Sequence, residues 1–288
     1  MGIGSSTMWV AVRYGTRKKC YYLNGSATMI DGARKVSPLP VAELIKNLMK
    51  SEPFCLYKEV DERLNEYFKN DVAETAIKAG RSADDVRLMC VTKTVECEYI
   101  NPVLDDGADL IGENRVQEYC SKLDTLHLDG VEKHIIGHLQ TNKIKYIAGK
   151  VDMIESVDSL KLAKEIDKGF CKVGAKANIL VEVNIGNEES KSGCDIRVLE
   201  ELLLQIAELE NVNIKGLMTI PPICSGDEAR RYFAKMHEKF LEIKEKNYCG
   251  VDMDILSMGM SADYEQAIIE GSNIVRVGSA IFGARKYI

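Results

Sequence analysis

Lys93 closes the apolar run in "RLMCVTKTVE" (residues 87–96), and a lysine aimed out of the end of a buried strand has two uses. Its stem can lie along the core while the ammonium reaches water, or burial can free a neutral amine to attack a carbonyl. Two later stretches bear on the choice. In "SMGMSADYE" (257–265) Ser261 falls at the expected N-cap of a helix, where its hydroxyl and free N–H groups would converge on an anion. In "VRVGSA" (275–280) Gly278 permits close backbone approach and Ser279 supplies a second hydroxyl. Between them Arg276 interrupts the apolar string "NIVRVG" and must be paired there, either with a structural acid or with a ligand.

Something must bring these distant residues together. Residues 57–80 repeat apolar side chains at helical spacing and stop at Gly80. Eight strand candidates follow, at 87–93, 109–114, 133–137, 151–157, 178–185, 214–220, 254–259 and 273–278. Helical stretches near 98–106, 116–126, 142–149, 159–173, 196–210, 228–247 and 262–270 separate them. Runs such as "NILVEV" and "IVRVG" are apolar almost throughout, as expected of strands covered on both faces. Strict alternation predicts an α/β fold with a parallel sheet, and eight units in about 200 residues fit a single TIM (β/α)8 barrel with an N-terminal helix before its first strand. An open doubly wound sheet is the alternative, but no G-x-G-x-x-G follows the first strand.

A barrel puts Lys93, Ser261, Arg276, Gly278 and Ser279 at one rim, because chemistry in this fold gathers at the C-terminal strand ends. Each feature alone is compatible with an ordinary surface lysine, a capped helix, a tight turn or an internal ion pair. Jointly, an amine, a phosphate cradle and an arginine suit a flat, phosphorylated aldehyde, and pyridoxal 5′-phosphate has that shape.

Composition sets the bounds. The 288 residues are 45% hydrophobic and 28% charged, which is ample for a core, and no apolar run approaches the ~18 residues of a membrane span. Residues 1–50 carry a net +6, leaving −12 on residues 51–288, and a body that acidic argues against nonspecific nucleic-acid binding. Nine cysteines without a C-x-x-C pair fit a reducing compartment, and the four histidines make no zinc-ligand spacing. Residues 1–52, basic and with neither a helical nor a strand period, read as a poorly ordered extension ahead of a barrel domain at 53–288. A transit peptide is conceivable there, but the stretch lacks a clean amphipathic helix.

The segments "LMCVTKT", "IGENRVQE", "HIIGHLQTNK", "VNIGNEESKSG", "GLMTIPP" and "LSMGMSADYEQAIIEGSNIVRVGSAIFGAR" make the chain recognisable. Over about residues 57–286 it resembles the YggS/PROSC family of pyridoxal phosphate homeostasis proteins, whose fold is like the barrel domain of alanine racemase. The resemblance implies an intracellular, cytoplasmic protein that binds pyridoxal 5′-phosphate without an established catalytic activity. Lys93 would form the internal aldimine, and Ser261 with the N–H groups of Gly278 and Ser279 would hold the phosphate, with Met260 alongside. Arg276 would face the pyridine nitrogen, and Asn114 and Met218 would flank the ring. Lys191 would belong to a flexible "SKSG" loop. Two departures stand out: Val95 replaces a second lysine common two places after the Schiff-base lysine, and His138 replaces a usual proline.

The expected role is a reservoir or carrier that limits free aldehyde and hands it to recipient apoenzymes; the alternative is a weak amino-acid racemase. An arginine at the ring nitrogen weakens the electron sink, and no C-terminal β-domain is visible to supply a second base. A more distant alternative is a Schiff-base aldolase acting on a sugar phosphate. A monomer is the default expectation. Loss of Ser261 or Arg276 is expected to weaken cofactor retention with the fold intact, whereas changes at Val91 or Ile135 should lower stability.

Overall fold

The computed structural model describes residues 65–188, 192–224 and 226–282 with their side chains, and the backbone at 8–14, 17–23, 29–31, 34–36 and 54–64. The chain divides into two compact units, Met1–Leu64 and Asn65–Ile288. In the first, strands β1 (Met8–Tyr14), β2 (Arg17–Leu23), β3 (Met29–Asp31) and β4 (Arg34–Val36) pair antiparallel in chain order.

Helix α1 spans Phe54–Lys78. Its apolar residues Phe68, Val72 and Ala76 recur every four positions and are buried, so one stripe meets the core. Gly80 ends this stretch at φ +77°, a conformation glycine adopts without steric cost. The ring of Phe68 packs edge-on against Tyr264, whose hydroxyl donates to Asp71.

The second unit is a closed, all-parallel barrel. Its strands are β5 (Arg87–Val91), β6 (Leu110–Glu113), β7 (Glu132–Ile135), β8 (Met153–Val157), β9 (Ala177–Val183), β10 (Val212–Thr219), β11 (Val251–Met260) and β12 (Ile274–Val277), with β12 pairing back onto β5. Helices α2 (Cys97–Asp105), α3 (Val116–Lys122), α4 (Ile144–Ile147), α5 (Leu160–Cys171), α6 (Leu199–Ala207), α7 (Asp227–Lys246) and α8 (Tyr264–Ile269) alternate with them, and α9 (Ser279–Phe282) follows β12. The expected eightfold alternation is therefore present, with element ends displaced by a few residues.

Side-chain alternation sorts the strands into two faces. Ile135, Ile154, Ile179, Val181 and Leu256 point outward, into a shell built with helix residues such as Phe170, Ile206 and Phe233. Met89, Val91, Leu110, Ile136 and Ile274 form a cluster without helix residues, and Met153, Leu180 and Met218 form another. These fill the interior, which is a packed core rather than a pore. Among the described residues no helix is long and apolar enough to cross a membrane.

Candidate functional site

Strand β5 stops at Val91, two residues short of the expected end, so Lys93 lies in the turn beyond it. Thr92 is buried and Lys93 half-buried. Thr94 then takes φ +60°, a left-handed conformation that a β-branched residue adopts only under constraint. That constraint is visible: the Thr94 amide donates to Glu118, and the Thr92 hydroxyl donates to Glu113 at 2.8 Å.

Asn114 follows directly on β6. Its Oδ1 is buried without a hydrogen-bond partner among the described residues, an unsatisfied group that a ligand can complete. Gly137 explains how the asparagine is held. A Cβ there would lie 2.4 Å from the Asn114 carbonyl oxygen, so only glycine lets the two loops touch.

The loops after β11 and β12 meet through one hydrogen bond, in which the Gly278 amide donates to the Ser261 hydroxyl at 3.3 Å. Helix α8 begins at Tyr264 and takes Asp263, not Ser261, as its N-cap. The expected capping role is thus corrected: a three-residue turn intervenes, and the Met260 amide donates to Asp263 Oδ1 at 2.6 Å. Ser261 is left to serve the neighbouring loop. Ser279 opens α9 and is exposed, with the first-turn N–H groups of that helix next to it. A Cβ on Gly278 would meet Val91 at 3.1 Å, which places the Ser261–Gly278 junction against the residue two before Lys93.

Arg276 is 4% exposed and points into the barrel. It pairs in register with Met260 on one side and Met89 on the other. Its Nη1 donates to Ser257 Oγ at 2.7 Å and its Nη2 to the Thr219 carbonyl at 2.8 Å, while Glu155 lies 4.0 Å away. Among the described residues two of its five N–H groups are engaged, and the guanidinium keeps donors for a ligand. Met218 is fully buried beside Met153 and Leu180, whereas Met260 is 37% exposed at the rim. Lys191 lies outside the described residues. His138 is exposed and lines a cavity of about 370 Å³ beside the loops after β7 and β8, so its replacement of proline is accommodated at the surface.

A polar network that the sequence did not reveal runs beneath this rim. Glu155, wholly buried, accepts from His134 Nδ1 at 2.7 Å and from the Ser257 hydroxyl at 2.7 Å. Burial opposes the charge on Glu155, but His134, Arg276 and Ser257 together hold its carboxyl below the usual range. Burial likewise opposes a charged His134, and the carboxylates of Glu132 and Glu155 overcome it, raising the imidazole. Glu182, on the inner face of β9, is only partly compensated: burial, reinforced by Asp158, outweighs the attraction of Arg276 and pushes it up to about 7. The signal for these residues was present as charged positions inside apolar strand runs, in "EKHIIG", "MIESV" and "NILVEV".

Comparison with known proteins follows the same lines. The family described as alanine racemase, N-terminal domain, matches residues 72–286. A pyridoxal phosphate homeostasis protein of Aquifex aeolicus (strain VF5) is 43% identical over 227 residues, which cover 78% of this chain and 98% of that protein. The protein of that description from Escherichia coli (strain K12) is 35% identical over 222 residues, covering 76% and 94%. Among solved structures, PipY of Synechococcus elongatus with pyridoxal phosphate bound superposes with a TM-score of 0.64 at 31% identity, covering 74% of this chain and 100% of that one. An alanine racemase of Clostridium difficile shares the fold, with a TM-score of 0.58 at 18% identity over 79% of this chain and 57% of that one. The fold and rim define an alanine-racemase-type barrel. Within that class, the chain belongs to the family of pyridoxal phosphate homeostasis proteins.

Proposed function

We propose that this chain holds pyridoxal 5′-phosphate at the C-terminal mouth of its barrel, covalently at Lys93, and serves pyridoxal phosphate homeostasis in the cytoplasm. The observation that carries the reading is the place of Gly278, hydrogen-bonded to Ser261 and so near Val91 that a Cβ would meet it at 3.1 Å. It joins a hydroxyl- and amide-rich rim to the strand that presents the lysine. When bound, pyridoxal 5′-phosphate supplies an aldehyde that condenses with a neutral amine and releases water.

The residues divide the work by chemistry. The Ser261 hydroxyl and the amides of Gly278 and Ser279 bind phosphate oxygens, with Met260 beside them. Asn114 and Met218 bound the ring, and the unsatisfied Asn114 amide gains a partner. Arg276 orients the ring by donating to its nitrogen. A guanidinium accepts no hydrogen bond, so that nitrogen stays unprotonated and a poor electron sink. This favours holding and delivery to recipient apoenzymes over turnover of amino acids.

The test is to incubate the purified protein with pyridoxal 5′-phosphate, record its absorbance, reduce with borohydride and map the modified peptide by mass. A yellow protein labelled at Lys93, and colourless as Lys93→Ala, is the expected result. α-Proton exchange of an amino acid into deuterated solvent, lost in Lys93→Ala, would replace this reading with a racemase.

A further inference from the structure

Glu113 and Glu118, which hold Thr92 and Thr94, belong to an ion triad completed by Lys122 beneath the Lys93 turn. Lys122, at the end of α3, extends its Nζ to Glu113 Oε1 at 2.6 Å and to Glu118 Oε1 at 2.7 Å. The side chains are 9%, 1% and 20% exposed respectively, so three charges are removed from most of their water. Such burial is a poor way to gain stability, because desolvation offsets most of the Coulomb attraction. Here the expense is larger still, since Glu113 Oε2 is buried without a hydrogen-bond partner among the described residues. A single carboxylate pair also outnumbers the one ammonium.

What the triad does touch is the backbone on either side of Lys93. Lys122 Nζ donates to the Thr92 carbonyl at 2.8 Å, and Glu113 accepts from the Thr92 hydroxyl at 2.8 Å. Glu118 accepts from the Thr94 amide, at the residue held at φ +60°. The residue before the lysine and the residue after it are thus fastened to one charged cluster, on β6 and α3. An ion network serving only to join α3 to the sheet has no reason to bond both neighbours of one residue in an adjacent loop.

We infer that Lys122, Glu113 and Glu118 are positioning residues for Lys93: they fix Thr92 and Thr94 so that the amine is presented to the aldehyde carbon at the barrel mouth. This rests on the reading of Lys93 above. The step served is formation of the bond between Lys93 Nζ and that carbon, the carbonyl oxygen leaving as water. An orientation defect should slow or weaken this step and spare the grip on the phosphate.

Two ligands separate the roles. Pyridoxal 5′-phosphate reports grip plus capture, and pyridoxine 5′-phosphate, which has an alcohol in place of the aldehyde, reports grip alone. The variants are Glu118→Ala, its conservative counterpart Glu118→Gln, which keeps an acceptor for the Thr94 amide, and the charge-balanced pair Lys122→Met with Glu113→Gln. The full chain is used throughout, with circular dichroism and a melting curve for each variant. The expected result is at least a tenfold fall in Lys93 trapped by borohydride at subsaturating pyridoxal 5′-phosphate in Glu118→Ala, largely restored in Glu118→Gln. Pyridoxine 5′-phosphate affinity should change less than twofold.

Unchanged trapping in Glu118→Ala would overturn the inference, and so would an equal loss for both ligands, which marks a merely structural role. If the double variant does not fold, the Glu118 pair decides alone. Failure of the wild-type protein to be trapped at Lys93 would instead remove the functional reading on which the triad depends.

Discussion

The Gly278 amide donates to the Ser261 hydroxyl at 3.3 Å, joining two loops that belong to different βα units. The bond ties the end of β11 to that of β12, the strand that pairs back onto β5. Ser261→Ala leaves the Gly278 amide without this acceptor and removes the hydroxyl proposed to bind the phosphate. Retention of pyridoxal 5′-phosphate should fall by about tenfold, in line with ~1–1.5 kcal/mol for one hydrogen bond, with the melting temperature nearly unchanged. Equilibrium dialysis and a thermal scan check both halves.

Arg276 has structural partners beside the ligand role proposed for it. Its bonds to Ser257 and Thr219 and its closeness to Glu155 tie β12 to three other strands. Arg276→Met leaves Glu155 short of a counter-charge in a dry interior, so the fold should lose about 3–5 kcal/mol alongside cofactor affinity. A urea titration with coincident fluorescence and circular dichroism would measure the loss. Wild-type stability with reduced affinity would return Arg276 to a purely ligand-facing role.

Glu182 gives a pH signature. With a folded pKa of about 7 against about 4.3 in an unfolded chain, it retains its proton in the folded state after the unfolded state has lost it. Folding stability from this group therefore declines as pH rises from about 4.3 to 7 and is level above. Glu182→Gln removes the titration. The stability of the variant relative to wild type should climb through that window, by at most about 4 kcal/mol, and a flat difference would contradict the burial of Glu182 as the cause.

Ile135 tests the scaffold rather than the site. It is wholly buried in the shell between barrel and helices, so Ile135→Ala should cost about 2–5 kcal/mol by transfer and cavity terms. Trapping at Lys93 in the folded fraction should be unaffected.

Much of this arrangement was legible in the sequence because a parallel barrel imposes a simple pattern. Apolar runs such as "NILVEV" are buried on both faces, and the eight ends could be read in order. The limits are equally physical. The end of β5 was read as Lys93 because nothing in "VTKT" marks where the ladder stops; Thr94 at φ +60° is set by Glu118, 24 residues away. Ser261 resembled an N-cap since a hydroxyl ahead of an apolar helix looks the same whether or not a turn intervenes; Asp263 holds that place. Arg276 was recognised as needing a partner, but Ser257 and Glu155, 102 residues apart, could not be paired by spacing. Lys122 was invisible for the opposite reason, as one charged residue among many on a helical stretch. Of the strands at 8–36, β3 and β4 are three residues long, too brief to show a period.

Peptide mapping after borohydride reduction of the protein loaded with pyridoxal 5′-phosphate tests the central claim most directly. One modified lysine, Lys93, at close to one equivalent is the expected result. Stoichiometric label on any other lysine, or none on Lys93 in a folded protein that still binds the cofactor, would contradict it.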